Sequence, residues 1–192
     1  MTDKGNMQNA RGPAREFPPL RRRGIQRLAY ERWGAGRSVW ETERGDRGLE
    51  VDQVEVYEGA ASENAARTLG LEAGESACIR SRRFVLDGKP VMLATSYLPA
   101  SLVAGSAITQ RDTGPGGTYA RLAELGHKPV HFREEIRSRM PSPEEASRLN
   151  LPEGTPVMLV CRTAFEEEGR AVEVNEMVLD AAAYVLEYDF DA

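Results

Sequence analysis

The chain has 192 residues, of which 41% are hydrophobic and 29% are charged, a balance typical of one globular domain. Its formal net charge of −5 and its pI near 5.3 exclude a protein that coats nucleic acid with a basic surface. No apolar run is as long as a signal-peptide core or a membrane span. We therefore expect a cytoplasmic protein that does not contact a membrane.

The first 48 residues differ in composition from those that follow. Residues 1–20 are polar, contain several Pro, Gly and Asn residues and show no periodicity, which predicts a disordered tail. The basic run from Arg21 to Arg32 favours a solvated helix or linker over a surface for DNA or membrane, and a glycine- and charge-rich loop follows it. We therefore predict a basic helix or linker segment over residues 21–48 and a folded domain over residues 49–192.

Strands outnumber helices in the predicted domain. Alternation from Leu49 predicts a first strand, and one slip in its phase indicates a bulge. Asp87-Gly88 predicts a tight hairpin turn, because such turns need positive φ. The fold class is therefore α+β, with a mainly antiparallel sheet and helices packed on it. We expect helices over 62–69, 118–125 and 142–149, strands over 76–86, 90–98 and 130–139, and three last strands that close the sheet, over 157–165, 171–179 and 184–190.

The sequence also repeats itself. Residues 62–83 (SENAARTLGLEAGESACIRSRR) align with residues 142–163 (SPEEASRLNLPEGTPVMLVCRT), and after one inserted residue the following hairpins align as well. Each copy has a serine helix cap, a turn glycine and a strand arginine, and the arginines are Arg82 and Arg162. Two copies predict a duplicated half-domain, since a solenoid needs at least three. We expect a cleft between the halves, with the two arginines in related places.

Three short segments carry the candidate site residues. Alternation places Arg80, Arg82 and Phe84 on one face of a strand, where buried guanidinium groups need an anionic ligand or neighbouring glutamates. The turn GPGGTY, with Gly117, Thr118 and Tyr119 in the sequence that opens a helix, can present peptide N–H groups to an anion or can be a flexible turn. Both interpretations of each segment stay open.

The third segment is AVEVNEMVL, which places Glu173 and Asn175 on one face of a strand. An acid and an amide there can hold hydroxyl groups or an amine, and Glu173 can equally pair with a strand arginine.

Metal and catalytic signals are weak. Lys128-Pro129 separates His127 from His131 and breaks the helix that metal ligation at this spacing needs, so we predict no metal site and no cofactor. Neither a Gly-x-Ser-x-Gly elbow nor a GxGxxG motif occurs. Cys78 and Cys161 are predicted to be small buried residues rather than a disulfide.

Several motifs in order resemble one family. The pattern R-x-R-(R)…DG-x-P-V…SYLP, the helix TYARLAELGH, the run MPSPEEASRLNLPEGTPVMLVCRTAF and the final GRAVEVNEMVLDAAAYVLEYDF are similar to the UTRA effector-binding domain of HutC-type, GntR-family transcriptional regulators. The resemblance covers about residues 49–190. It implies a chorismate-lyase-like fold, homodimerisation and a cleft for a small anionic or polar metabolite.

The resemblance also implies site residues. The family's ligand positions fall on Arg82, on Gly117 and Thr118, and on Glu173. Phe84 stands where the family usually has the second arginine of its pair, and Gly117 stands where members that bind sugar phosphates often have serine. Both departures argue against a sugar phosphate.

The predicted function is therefore effector sensing without catalysis. The first 48 residues show no helix-turn-helix pattern, so we expect DNA binding only through a winged-helix domain absent from this chain. Two alternatives are a chorismate-lyase-like enzyme that acts on a small anionic substrate, and a ligand-free dimerisation partner of a full-length regulator.

Overall fold

The computed structural model describes residues 18–23, 25–37, 39–40 and 47–189. Strands dominate these residues, as predicted. The strands are β1 (Leu20–Arg23), β2 (Leu49–Gly59), β3 (Ala77–Leu86), β4 (Lys89–Pro99), β5 (His131–Arg139), β6 (Val157–Phe165), β7 (Ala171–Asp180) and β8 (Tyr184–Glu187). The helices are α1 (Tyr30–Trp33), α2 (Glu63–Leu69), α3 (Ala100–Val103), α4 (Gly117–Glu124) and α5 (Pro143–Leu149), with 3-10 turns at Ile25–Leu28 and Ala107–Thr109.

The main sheet has six antiparallel strands in the order β2-β3-β4-β7-β6-β5. Two β-α-β-β halves therefore meet along β4 and β7. The strand register confirms the duplication, because Arg82 lies opposite Ala94 and Arg162 lies opposite Asn175, the positions that the repeat aligns. The α+β antiparallel prediction is confirmed.

The two halves have matching helix ends as well as matching strands. The side chains of Ser62 and Ser142 accept hydrogen bonds from the first turns of α2 and α5, and Glu145 completes a capping box with Ser142. Gly70 and Asn150 end these helices in the left-handed conformation, with φ of 67° and 51°. Each helix is therefore started and stopped by the repeated residues.

Local turn chemistry also places the strands as expected. Asp87 and Gly88 have φ of 51° and 80°, which gives the tight turn between β3 and β4. The β2–β3 register shifts between Asp52 and Glu55, and Gln53 there has φ of 47°. The predicted hairpin and bulge are confirmed.

Both faces of the sheet are covered. Helix α2 packs on β7 and α5 packs on β4, and Ala65, Leu69 and Val174 form part of the core on that side. Leu28 and Trp33 pack from the opposite side on the region where α4 begins. Residues before the predicted domain therefore belong to its core.

Two expectations about the chain ends are wrong. Strand β8 does not close the six-stranded sheet but pairs in parallel with β1. The basic segment is not solvated throughout, since Arg22 is 1% exposed and Arg27 is 3% exposed. Burial is tolerated because Arg22 lies against the rings of Trp40 and Tyr184 and Arg27 pairs with a carboxylate.

The predicted boundaries at residues 20 and 48 stay predictions. Most of the predicted tail, residues 1–17, lies outside the described residues, as do residues 41–46 of the predicted linker and Phe190 of the predicted last strand. In the described part of the chain, no helix is both long enough and apolar enough to cross a membrane.

Candidate functional site: a cavity over the centre of the sheet

A row of polar side chains crosses the sheet on the face opposite α2 and α5. Strand pairing aligns Arg80 with Ser96, Ser96 with Asn175, Asn175 with Arg162 and Arg162 with Glu134. All but Glu134 are almost fully buried. Side chains two residues apart on a strand share a face, so Arg82 and Glu173 lie on this same face of the sheet, one on each side of the row. The fold therefore concentrates charge where most sheets are apolar.

A cavity of about 370 Å³ lies over this row. Its size falls in the range of small-molecule sites. Both polar and apolar residues line it. The polar lining consists of Arg82, Thr113, Thr118, Tyr119, Arg162, Glu173 and Asn175, the apolar lining of Val39, Trp40, Leu49, Val51 and Phe84, and Gly116 and Gly117 contribute backbone.

Arg82 is the least compensated cation of the cavity. Its Nη2 donates to Ser96 Oγ at 2.6 Å, but its buried Nε has no hydrogen-bond partner among the described residues. Burial lowers the pKa of the guanidinium, and the charge of Glu173 opposes this effect. A buried donor without a partner costs about 1–3 kcal/mol, which an acceptor on a ligand would offset.

Arg162, the repeat partner of Arg82, is more fully engaged. Its Nε donates to Glu134 Oε1 at 2.9 Å, and its Nη1 lies 3.5 Å from the hydroxyl of Tyr119. Glu134 also pairs with Arg27. Burial alone would raise the pKa of Glu134, but the two arginines outweigh it and lower that pKa to about 2. Glu134 is thus ionised and holds Arg162 in place.

Two acceptors complete the polar side of the cavity. Glu173 is 2% exposed and Asn175 is 3% exposed, yet Glu173 Oε2 and Asn175 Oδ1 have no hydrogen-bond partner in the described part of the chain. Burial raises the pKa of the neighbouring Tyr119, and the charge of Glu173 raises it further, so this phenol stays protonated. Among the described residues, the side chains that line the cavity therefore carry both an unused donor and unused acceptors.

The start of α4 forms one rim of the cavity. Gly116 is the N-cap with φ of 79° and, as a glycine, supplies no side-chain cap to the first turn. A Cβ at Gly116 would lie 2.7 Å from the carbonyl oxygen of Trp33, whereas a Cβ at Gly117 would meet nothing within 4 Å. The glycine at 116 is required by close approach, and the one at 117 leaves room beside the cavity.

Comparison with known proteins gives the family. The UTRA domain model matches residues 46–185, well over half of the chain. The chain belongs to the UTRA domain family. The chain is 32% identical over 185 residues to an uncharacterized HTH-type transcriptional regulator of Streptomyces coelicolor, a match that covers 92% of the chain and 68% of the relative.

A second relative also matches the chain, and solved structures share its fold. An HTH-type transcriptional regulator of Mycobacterium tuberculosis is 35% identical over 133 residues, and the match covers 65% of this chain but only 46% of that protein. PhnF from Mycobacterium smegmatis shares the fold with a TM-score of 0.71 at 21% identity, covering 92% of this chain and 73% of PhnF. The effector domain of PhnF gives a TM-score of 0.66 at 21% identity, with 76% and 89% covered.

The UTRA domain brings most of the predicted site residues together. Six of them line the cavity: Arg82, Phe84, Gly117, Thr118, Tyr119 and Glu173. Arg80 does not line it, although it shares the strand face. Its guanidinium instead donates to the backbone carbonyls of Ile108 and Gln110, and to that of Arg111 at 3.1 Å. Burial and the charge of Arg82 lower the pKa of Arg80 to about 10.

Other lining residues were not assigned to the site from the sequence. The repeat paired Arg162 with Arg82, and strand alternation placed Asn175 beside Glu173, so signals for both existed. Val39 and Trp40 carried no such signal, because they belong to the predicted linker and only tertiary packing brings them to the cavity.

The histidines and cysteines lie elsewhere. His127 Nδ1 lies 2.8 Å from Glu166 Oε2, and the ring of His131 packs against Phe165. Among the described residues, no cluster of three or more His, Cys, Asp or Glu side chains could hold a metal ion. Both cysteines are free thiols; Cys78 is buried and Cys161 is half-buried.

Proposed function

We propose that this UTRA domain is the effector-sensing part of a GntR-type transcriptional regulator and that its effector binds in the 370 Å³ cavity. The carrying observation is that three side chains lining the cavity hold buried polar atoms with no hydrogen-bond partner among the described residues: Arg82 Nε, Glu173 Oε2 and Asn175 Oδ1. A buried polar group without a hydrogen-bond partner lowers the stability of the folded state, and a bound molecule that supplies the partner restores that stability.

The chemistry of the lining supports one class of effector. An acceptor on the ligand, most simply a carboxylate or another anionic group, pairs with Arg82. N–H or O–H groups on the ligand pair with Glu173 and Asn175. The effector is therefore a small anionic or polar metabolite that carries both acceptors and donors. Phe84 and Gly117, where the family pattern differs, argue against a sugar phosphate.

We propose binding rather than catalysis. Both relatives are transcriptional regulators, and no observation in the cavity favours the lyase alternative. In the ligand-free alternative, Arg80, Arg82 and Glu173 would pair with one another and fill the cleft. Arg82 and Glu173 instead line a cavity, and each has a buried polar atom without a partner among the described residues, which counts against that alternative.

Assembly and DNA binding are also proposals. We propose a homodimer formed through this domain, which acts in the cytoplasm on DNA through a winged-helix domain. Light scattering should give about twice the chain mass of 21.2 kDa. A monomer at micromolar concentration contradicts the dimer, and a sequence-specific gel shift by this chain alone contradicts the proposed route to DNA.

Thermal denaturation against a metabolite library tests the proposed sensing. A ligand at 100 times its Kd stabilises the folded state by about 2.7 kcal/mol, which raises the melting temperature by roughly 5–10 °C for a chain of this size. Arg82→Met should abolish this shift. Arg83→Met is the matched control, because Arg83 lies on the opposite strand face and pairs with Asp52 outside the cavity. The proposal fails if no anionic or polar metabolite stabilises the protein, or if both variants respond alike.

A further inference from the structure

Part of the cavity wall comes from outside the UTRA domain itself. The family model begins at residue 46, yet Val39 and Trp40 line the cavity. Val39 is 6% exposed and Trp40 is half-buried. The indole is the largest apolar group of the lining, so its chemistry bears directly on what fits.

Trp40 is held in place by contacts on two elements. Its ring centroid lies 4.6 Å from that of Phe84 on β3, with the planes inclined at 45°. The guanidinium carbon of Arg22 lies 4.8 Å from the Trp40 centroid and 5.3 Å from that of Tyr184, distances at which cations attract aromatic faces. Arg22 is itself anchored on β1, which pairs with β8. The indole is therefore preorganised before a ligand arrives.

The same indole lies next to the charged part of the cavity. The guanidinium carbon of Arg162 lies 5.9 Å from the Trp40 centroid. The guanidinium carbon of Arg82 lies 6.0 Å from the ring centroid of Phe84, which packs against the indole. An aromatic surface and two guanidinium groups thus lie side by side, an arrangement that fits a molecule with a charged end and a flat apolar part.

We infer that Trp40 is a ligand-contacting residue that sets specificity, by packing against the planar apolar part of a small anion whose charged group is bound at Arg82. Arg22 is a positioning residue that acts through Trp40. This inference rests on the proposed effector-binding function. It identifies the effector class as an aromatic or similarly flat carboxylate or related anion, and it extends the effector site to a segment upstream of the family domain.

Two simple probes separate the apolar contact from the charge contact. Benzoate and acetate carry the same carboxylate and differ in the ring. Titrations of the 192-residue chain, followed by protein NMR at constant ionic strength, give both affinities. Wild type should bind benzoate roughly tenfold more tightly than acetate. Trp40→Ala should reduce this ratio to about twofold while acetate binding stays within about twofold, and Trp40→Phe should keep most of the preference.

Variants of the two arginines distinguish positioning from folding. Arg22→Met should lower the benzoate-to-acetate ratio without changing acetate binding, and Arg22→Lys should restore much of it because a cation over the ring is regained. Arg82→Met should weaken both probes and leave their ratio unchanged.

Each outcome bears on one of the two claims. If both probes bind wild type but Trp40→Ala leaves the ratio unchanged, the inference about Trp40 is wrong and the proposed anion site stands. If neither carboxylate binds wild type, the anion-binding function itself is refuted, and the inference falls with it. Thermal denaturation of every variant establishes that it is folded under the titration conditions.

Discussion

Replacing Glu134 with glutamine should destabilise the protein strongly and in a pH-dependent way. Glu134 is 11% exposed and accepts hydrogen bonds from Arg162 at 2.9 Å and from Arg27, both almost fully buried. Removing this carboxylate leaves two buried guanidinium groups without its charge. Loss of one partner from a buried ion pair typically costs about 3–5 kcal/mol.

The pKa of Glu134 gives a second route to the magnitude. It falls from the ordinary 4.5 to about 2, a difference of about 2.5, and each pH unit is worth about 1.4 kcal/mol, so the ionised carboxylate contributes roughly 3 kcal/mol. Because the folded-state pKa is lowered, this contribution is fully present above pH 4.5 and is lost as the pH falls toward 2. Near pH 3, roughly half of it should remain.

Urea denaturation over a pH series measures this contribution. At pH 7, Glu134→Gln should lose about 3 kcal/mol relative to wild type, and the difference should shrink as the pH is lowered from about 4.5. Glu135→Gln is the matched control, since Glu135 is half exposed and lies 3.9 Å from Arg133, so its loss should be below about 0.5 kcal/mol. A loss under about 1 kcal/mol at pH 7, or a difference that does not change with pH, would refute the reasoning.

Three further predictions test local features. Gly116→Ala places a Cβ 2.6 Å from that of Ala120 at a φ of 79° and should lower the free energy of unfolding by roughly 3 kcal/mol. Gly117→Ala has no described atom within 4 Å of its Cβ and should cost about 1 kcal/mol. Equal losses in the two variants would contradict this prediction. Ser142→Ala removes the capping box of α5 and should cost about 1 kcal/mol in urea denaturation. Burial raises the pKa of the Cys78 and Cys161 thiols, and Cys78 is 4% exposed, so a thiol reagent should modify half-buried Cys161 first; faster modification of Cys78 would show that its strand opens.

The cavity residues found from the sequence share one property, which is that each sits in a local pattern. Strand alternation placed Arg82 with Phe84, and the glycine-rich turn marked Gly117. Alternation cannot distinguish a guanidinium that faces a cavity from one that binds backbone. Arg80 shares the face of Arg82, and only the path of residues 108–111 past it turns its donors toward carbonyl oxygens.

The sequence by itself determined the local elements and their duplication. Helix caps, the Asp87-Gly88 turn and hydrophobic alternation depend on residues close along the chain, so they are visible in one dimension. Tertiary structure alone decided that β8 leaves the sheet for β1 and that the basic segment is buried. It also decided that Trp40 walls the cavity. These outcomes depend on partners that are distant in sequence. Arg22 can be buried because Trp40 and Tyr184 supply aromatic faces, and Arg27 can be buried because Glu134 supplies a negative charge.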